Sequence, residues 1–210
     1  KFGGYIFDKR WMETVEKMYV RHYTNERYLR NTAPSVRVGV VYSEQTDNNY
    51  GRKAWQKNYD DHAFGIYHTL IEGHIPFEMV HDRLLDDDHL RPFRLLILPN
   101  IAALSDKQCD QLRKFVQGGG SLVATYETSL YDEEGKPRSD FGLSDLFGVS
   151  YDHGVEGPLQ NSYLRLKSDP ATGKFHPVLE GLEDAYRIIN GTHQVRVTAT
   201  STFPSPVTLV

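Results

Sequence analysis

The run from Phe93 to Thr128, FRLLILPNIAALSDKQCDQLRKFVQGGGSLVATYET, constrains the fold more than any other part of the chain. Phe93 to Leu98 is an almost unbroken apolar stretch, which suits a strand covered on both faces. Pro99-Asn100 stops it. Ser105, with Gln108 three residues later, is a capping box that opens a helix. Cys109, Leu112, Phe115 and Val116 then share one helical face. Gly118-Gly119-Gly120 supplies the left-handed backbone that ends a helix. Ser121 to Tyr126 is a second apolar run, expected to be another buried strand. Two strands joined through one helix make a parallel βαβ unit. In open sheets built from such units, ligands sit beyond the carboxyl ends of the strands. Those ends place Asn100, Tyr126, Glu127 and Thr128 among the candidate ligand-facing residues.

The rest of the chain extends this pattern. Asp8 to Asn31 reads as one long helix, with Asp8 as N-cap and Trp11, Val15, Met18 and His22 on one stripe. Thr32-Ala33-Pro34 breaks it. Ser35 to Tyr42 (SVRVGVVY) is a core strand, and Ser43 lies at its carboxyl end. Asp47 to Gly51 marks a loop. A helix over Ala54 to Glu72 follows, with Trp55, Tyr59, His62, Ile66 and Leu70 on one face and Gly73 as C-cap. Ile75 to Val80 is the next strand. The order of elements predicts an open, mostly parallel α/β sheet of doubly wound type, with helices on both faces. After the central unit, Leu143 to Phe147 is a short helix. Asn161 to Lys167 and His193 to Thr200 alternate like half-exposed strands. Pro206 to Val210 looks like a strand just starting, and is expected to continue in the natural sequence. Three segments are expected: residues 1–34, a connector helix; residues 35–182, the α/β domain; and residues 183–210, a β-rich tail.

Charge and composition narrow the function. A net charge of −4, with 25% charged residues, argues against a nucleic-acid surface. No apolar run is long enough to span a bilayer. The one cysteine excludes an internal disulfide and a cysteine-based zinc site. It fits a reducing compartment, so a cytoplasmic location is expected. No cofactor is expected either. The first strand is followed by SEQTDNNYG, with neither G-x-G-x-x-G nor a P-loop lysine. The glycine run precedes a strand rather than a helix, so it cannot cradle a phosphate. The histidines are scattered without H-x-x-x-H spacing, and no metal site is expected. Asp86-Asp87-Asp88 reads as a solvated turn.

Candidate chemistry concentrates at the strand ends. A nucleophile elbow needs Ser or Cys between small residues; here the position is Tyr126-Glu127-Thr128-Ser129, and Thr128 and Ser129 read as turn formers. Cys109, on the apolar stripe of a helix, reads as an inert buried thiol. Glu127 is the strongest single candidate for carboxylate chemistry of the glycosidase kind.

The run from Arg94 to Gly135 resembles the middle, trimerisation domain of family 42 β-galactosidases. RVGVVYS (37–43) resembles its first strand and DFGLSDLFGVS (140–150) its later helix. KFHPVLEGL (174–182) resembles a segment of glutamine-amidotransferase-like domains of class I. The resemblance covers roughly Ser35 to Leu182. It implies a flavodoxin-like fold and a non-catalytic module of a glycoside hydrolase that forms homo-oligomers, trimers in that family. In that family a TIM barrel precedes the domain and carries the catalytic carboxylates; the N-terminal helix would be its connector. True amidotransferases carry a cysteine at the elbow and a distant histidine. His176 stands before Pro177 as that histidine does, but Tyr126-Glu127-Thr128 replaces the cysteine elbow, so His176 has nothing to activate. The catalytic candidates are therefore weak, Glu127 and His176. The alternative is a free-standing sugar-active enzyme resembling the trehalose-utilisation proteins, with Ser43, Asn100, Glu127 and Thr128 at its site.

Overall fold

The computed structural model describes residues 9–30, 33–50, 60–202 and 205–210. The chain divides into two units, Lys1–Ser35 and Val36–Val210. In the first, the predicted long helix is broken. α1 (Met12–Thr24) and α2 (Glu26–Leu29) are separated at Asn25, whose φ of −101° and ψ of 9° leave the helical region. Trp11 is the N-cap residue of α1; the expected cap, Asp8, lies outside the described residues. Neither helix buries a residue within the chain.

The second unit is built on a parallel sheet in the order β2-β1-β3-β4. Its strands are β1 (Val38–Tyr42), β2 (Phe77–His81), β3 (Leu95–Leu98) and β4 (Ser121–Ala124). α3 (Asp61–Glu72) leads into β2, and α5 (Asp106–Gln117) connects β3 to β4; the short α4 (Asp87–Leu90) follows β2. The start of the predicted helix, with Trp55 and Tyr59, lies outside the described residues. Alternation along the apolar strands sends side chains to both faces. Val41, Leu96 and Leu98 pack with Cys109 and Leu112 of α5. Val40 and Ile97 pack with Leu70 of α3. The sheet is thus covered by helix on both faces, as its apolar strands require.

The capping box of α5 is complete. The Ser105 amide donates to Gln108 Oε1 at 2.8 Å, and the Gln108 amide donates to Ser105 Oγ at 3.3 Å. Gly119 takes the left-handed conformation after this helix (φ 92°). At the end of α3, by contrast, the left-handed residue is His74 (φ 51°), while Gly73 stays at φ −75°. Where the sequence predicts a loop over Asp47 to Gly51, Thr46–Tyr50 instead form a π-helical turn, and Gly51 lies outside the described residues.

β4 departs from the expected buried strand. Its burial alternates, and Val123 is 45% exposed. Local apolar sequence cannot distinguish an edge strand from a central one, and among the described residues β4 is an edge. After α6 (Ser144–Phe147), the antiparallel part begins earlier than the sequence pattern suggests. β5 (Val149–Glu156) pairs with β8 (Gln194–Ala199). β6 (Tyr163–Leu166) lies between β7 (Ile188–Ile189) and β9 (Val207–Leu209). Among the described residues, no helix is long and apolar enough to cross a membrane.

Candidate functional site

All four parallel strands deliver a polar residue to the carboxyl edge of the sheet. Ser43, after β1, is 1% exposed; its Oγ donates to Asp82 Oδ2 at 2.7 Å and accepts from the Thr46 amide at 3.0 Å. Asp82, after β2, is also 1% exposed and accepts from the Gln45 amide at 3.2 Å. Its other oxygen lies 2.8 Å from His81 Nδ1, which also lies 3.1 Å from the Arg83 amide. Only a protonated Nδ1 satisfies that carboxylate oxygen; a bare Nδ1 accepts from the amide instead.

Asn100, after β3, is fully buried and left-handed (φ 49°), a conformation asparagine tolerates better than most residues. Its Oδ1 accepts from the Glu127 amide at 3.2 Å, and its own amide donates to Thr125 Oγ1 at 3.0 Å. The chain thereby crosses from the end of β3 to the turn after β4. In that turn Tyr126 (φ 56°) and Ser129 (φ 67°) are left-handed, and tyrosine stands where a nucleophile would need to be, but the turn does not lead directly into a helix. Thr128 Oγ1 donates to the Thr125 carbonyl at 2.7 Å and acts as a turn former.

Glu127 is the centre of the cluster. It is 7% exposed, and its carboxylate accepts from the hydroxyls of Tyr50 and Tyr131. The two rings lie 4.9 Å apart. Burial pushes the Glu127 carboxyl above its ordinary value of 4.5, against the opposing pull of the two tyrosine hydrogen bonds. Burial likewise raises both phenols, Tyr131 to about 12. Tyr126 stacks on His62 with centroids 5.3 Å apart, and burial lowers the His62 imidazole below 6.5. Chemically this is a carboxyl enclosed by two protonated phenols. It can hold a proton and lock three chain segments together, but among the described residues no activated nucleophile stands beside it.

Ser43, Asn100, Tyr126, Glu127 and Thr128 therefore all gather at the sheet's carboxyl edge. His176 takes no part in the described network. It is exposed, and its Nδ1 accepts from the Val178 amide at 3.2 Å, capping the 3-10 turn Pro177–Leu179. Sequence reasoning missed Asp82, Tyr50 and Tyr131. The strand-end rule applied to β2 finds Asp82. The tyrosines sit in polar segments with no periodicity to mark them.

Cys109 is 1% exposed, and burial raises its thiol to about 11. A thiolate-selective reagent at pH 8 is expected to leave it unmodified in the folded protein and to label it fully in denaturant. Labelling at equal rates in both states would contradict this packing. Among the described residues, no group of three or more His, Cys, Asp or Glu side chains could hold a metal ion.

A family model described as the β-galactosidase trimerisation domain matches residues 36–154. Among solved structures, the chain is similar to the cold-adapted β-galactosidase from Rahnella sp. R3, with a TM-score of 0.69 and 16% identity over 98% of this chain and 29% of that one. It is similar to the β-galactosidase from Bacillus circulans sp. alkalophilus, at TM-score 0.65 and 15% identity, over 87% of this chain and 26% of that one. The β-galactosidase from the Antarctic haloarchaeon Halorubrum lacusprofundi gives a TM-score of 0.57 and 15% identity, over 89% of this chain and 26% of that one. At these identities the likeness is one of fold. The chain spans little more than a quarter of the length of these proteins.

Proposed function

The chain belongs to the β-galactosidase trimerisation domain family, and from that premise we propose that it is a non-catalytic assembly module of a longer glycoside hydrolase acting on carbohydrate. The observation that carries this reading is the closed strand-end cluster. The elbow holds Tyr126 where a nucleophile would stand, and Glu127 is enclosed by Tyr50 and Tyr131 rather than presented to a substrate. Glycoside cleavage by paired carboxylates needs two groups flanking the scissile bond. Glu127 has phenols for neighbours instead. The catalytic carboxylates then belong to another part of the parent protein, such as a (β/α)₈ barrel, a fold of about 250 residues. This module makes homo-oligomers and shapes the approach to that site.

The test is made on the full-length protein that carries this chain. Analytical ultracentrifugation is expected to show a homo-oligomer, a trimer by family. Glu127→Gln is expected to change turnover of a chromogenic galactoside by less than about twofold, because the carboxyl acts only on the fold. A full-length protein that stays monomeric at all concentrations removes the assembly role. A hundredfold loss of kcat in Glu127→Gln with unchanged circular dichroism favours instead a sugar-active enzyme working at the strand ends.

A further inference from the structure

We propose that copies of this chain associate head to tail, the apolar ridge of α3 and β2 on one copy seated against the β4 edge of the next. The inference rests on the assembly reading above and names the surfaces it uses.

α3 carries two apolar stripes. Ile66 and Leu70 form the inner one and pack against Val40 and Ile97. Phe64, Tyr67 and Ile71 form the second, spaced i, i+3, i+7, and remain 57%, 40% and 51% exposed. Ile75 (44% exposed) and Met79 (40%) extend it towards and onto β2. The edge-on contact of Tyr67 with Phe77, centroids 5.4 Å apart, ties the ridge to that strand. Side chains of this size bury roughly 200 Å² each, so these exposures leave roughly 450 Å² of apolar surface. That lies within the usual range for the largest patch on a monomer. It is also more than half of the ~800 Å² per partner in a stable protein–protein interface.

The opposite edge of the sheet is the complementary surface. Among the described residues β4 pairs only with β3. Its sequence, Ser121-Leu122-Val123-Ala124, has no charge and no proline, and its register with β3 runs without a bulge. Short as it is, at four residues, it carries none of the charges, prolines or bulges that keep an exposed edge from pairing. Val123 is exposed on one face of β4. On the other, Leu122 and Ala124 line a groove of about 410 Å³ with Phe147, Val149 and Val197. Two unlike apolar surfaces at opposite edges of one sheet are what a ring of more than two copies requires, since each copy must both present and receive. A two-fold pair would need one self-complementary patch instead. A second copy of this chain is thus the occupant that accounts for both surfaces at once.

The experiment uses the full-length protein and sedimentation. Phe64→Glu with Ile71→Glu breaks the ridge, and Val123→Glu breaks the edge. Each variant alone is expected to weaken assembly at least a hundredfold and run as a monomer. Mixed one to one, they should form a two-copy species and no larger one, because a single intact ridge–edge contact remains. If a glutamate variant loses its wild-type circular dichroism, Ile71→Cys with Val123→Cys replaces it. A short bismaleimide should then link copies only when both cysteines are present, with Cys109 buried and unreactive. A wild-type oligomer that all variants leave intact overturns this inference and leaves the assembly reading standing. Self-linking of either single-cysteine variant overturns the head-to-tail arrangement. A monomeric wild type removes both.

Discussion

Leu96→Ala is expected to destabilise the Val36–Val210 unit by about 3 kcal/mol, within the range of about 2–5 kcal/mol for emptying a buried leucine site. At this domain size that lowers the melting temperature by roughly 10 °C. Leu96 is fully buried in β3, with Gly39 of β1 and Leu122 of β4 as its register partners. Strands on both sides limit how far the site can collapse. Gly39 provides an internal control. A Cβ placed there would sit 2.7 Å from Leu96 Cδ2, 3.0 Å from Val80 Cγ2 and 3.3 Å from a Phe93 ring carbon. Gly39→Ala alone should therefore overpack the core and cost about 1–3 kcal/mol. In the double variant the new methyl enters space that Leu96 has vacated. Its destabilisation should fall short of the sum of the single effects by about 1 kcal/mol or more. Chemical denaturation of the four proteins closes the cycle, and strict additivity would show that Gly39 and Leu96 do not share this space.

Tyr50→Phe is expected to cost about 2–3 kcal/mol at neutral pH, and less in acid. It removes one of two hydroxyl donors to a carboxylate that is only 7% exposed. An acceptor left buried without its partner costs about 1–3 kcal/mol, and more when charged. The pH dependence follows from the raised carboxyl. Unfolded, Glu127 loses its proton near 4.5; folded, burial makes it keep the proton to higher pH. Between those values the folded chain binds more protons, so stability falls as pH rises. The contribution of Glu127 is complete below 4.5 and is lost as pH climbs through its folded value. Glu127→Gln cannot ionise, so it should gain on the wild type as pH rises from 4 to 8. Tyr50→Phe, which strips a donor from the charged form, should steepen the decline. Denaturation midpoints across that range test both, and a constant gap between Glu127→Gln and wild type would contradict the assignment.

Much of the α/β core is legible in the chain because its signals are local. The capping box at Ser105 and Gln108, the apolar run of β3 and the glycines after α5 each act within one or two turns of chain. The strand-end candidates are legible for the same reason: where an apolar run stops, the residues that follow stand at the sheet's edge, as Ser43, Asn100 and Glu127 do. The partners of Glu127 are not. Tyr50 is 77 positions away from it in sequence, inside a polar stretch that turns out to be a π-helical turn. No spacing rule connects the two. β5 is missed because its Asp152, His153 and Gly154 interrupt any simple alternation, and its register with β8 shifts between Tyr151 and Val155. The N-terminal helix is overextended because the first breaker in the sequence is Thr32-Ala33-Pro34, and nothing local marks Asn25, where the backbone leaves the helix.

By itself the sequence determined the core strands and helices of the parallel sheet, their apolar faces, and that no nucleophile stands at Tyr126. Apolar periodicity records how each residue is buried, and where it is unbroken that is enough for element type. It does not record by whom. The strand order β2-β1-β3-β4 made β4 an edge and left Val123 exposed. The approach of the Tyr50 turn to the end of β4 turned a candidate catalytic glutamate into an enclosed one. Both depend on contacts between segments far apart in the chain, and such contacts are settled only when the whole sheet assembles and distant side chains compete for the same buried space.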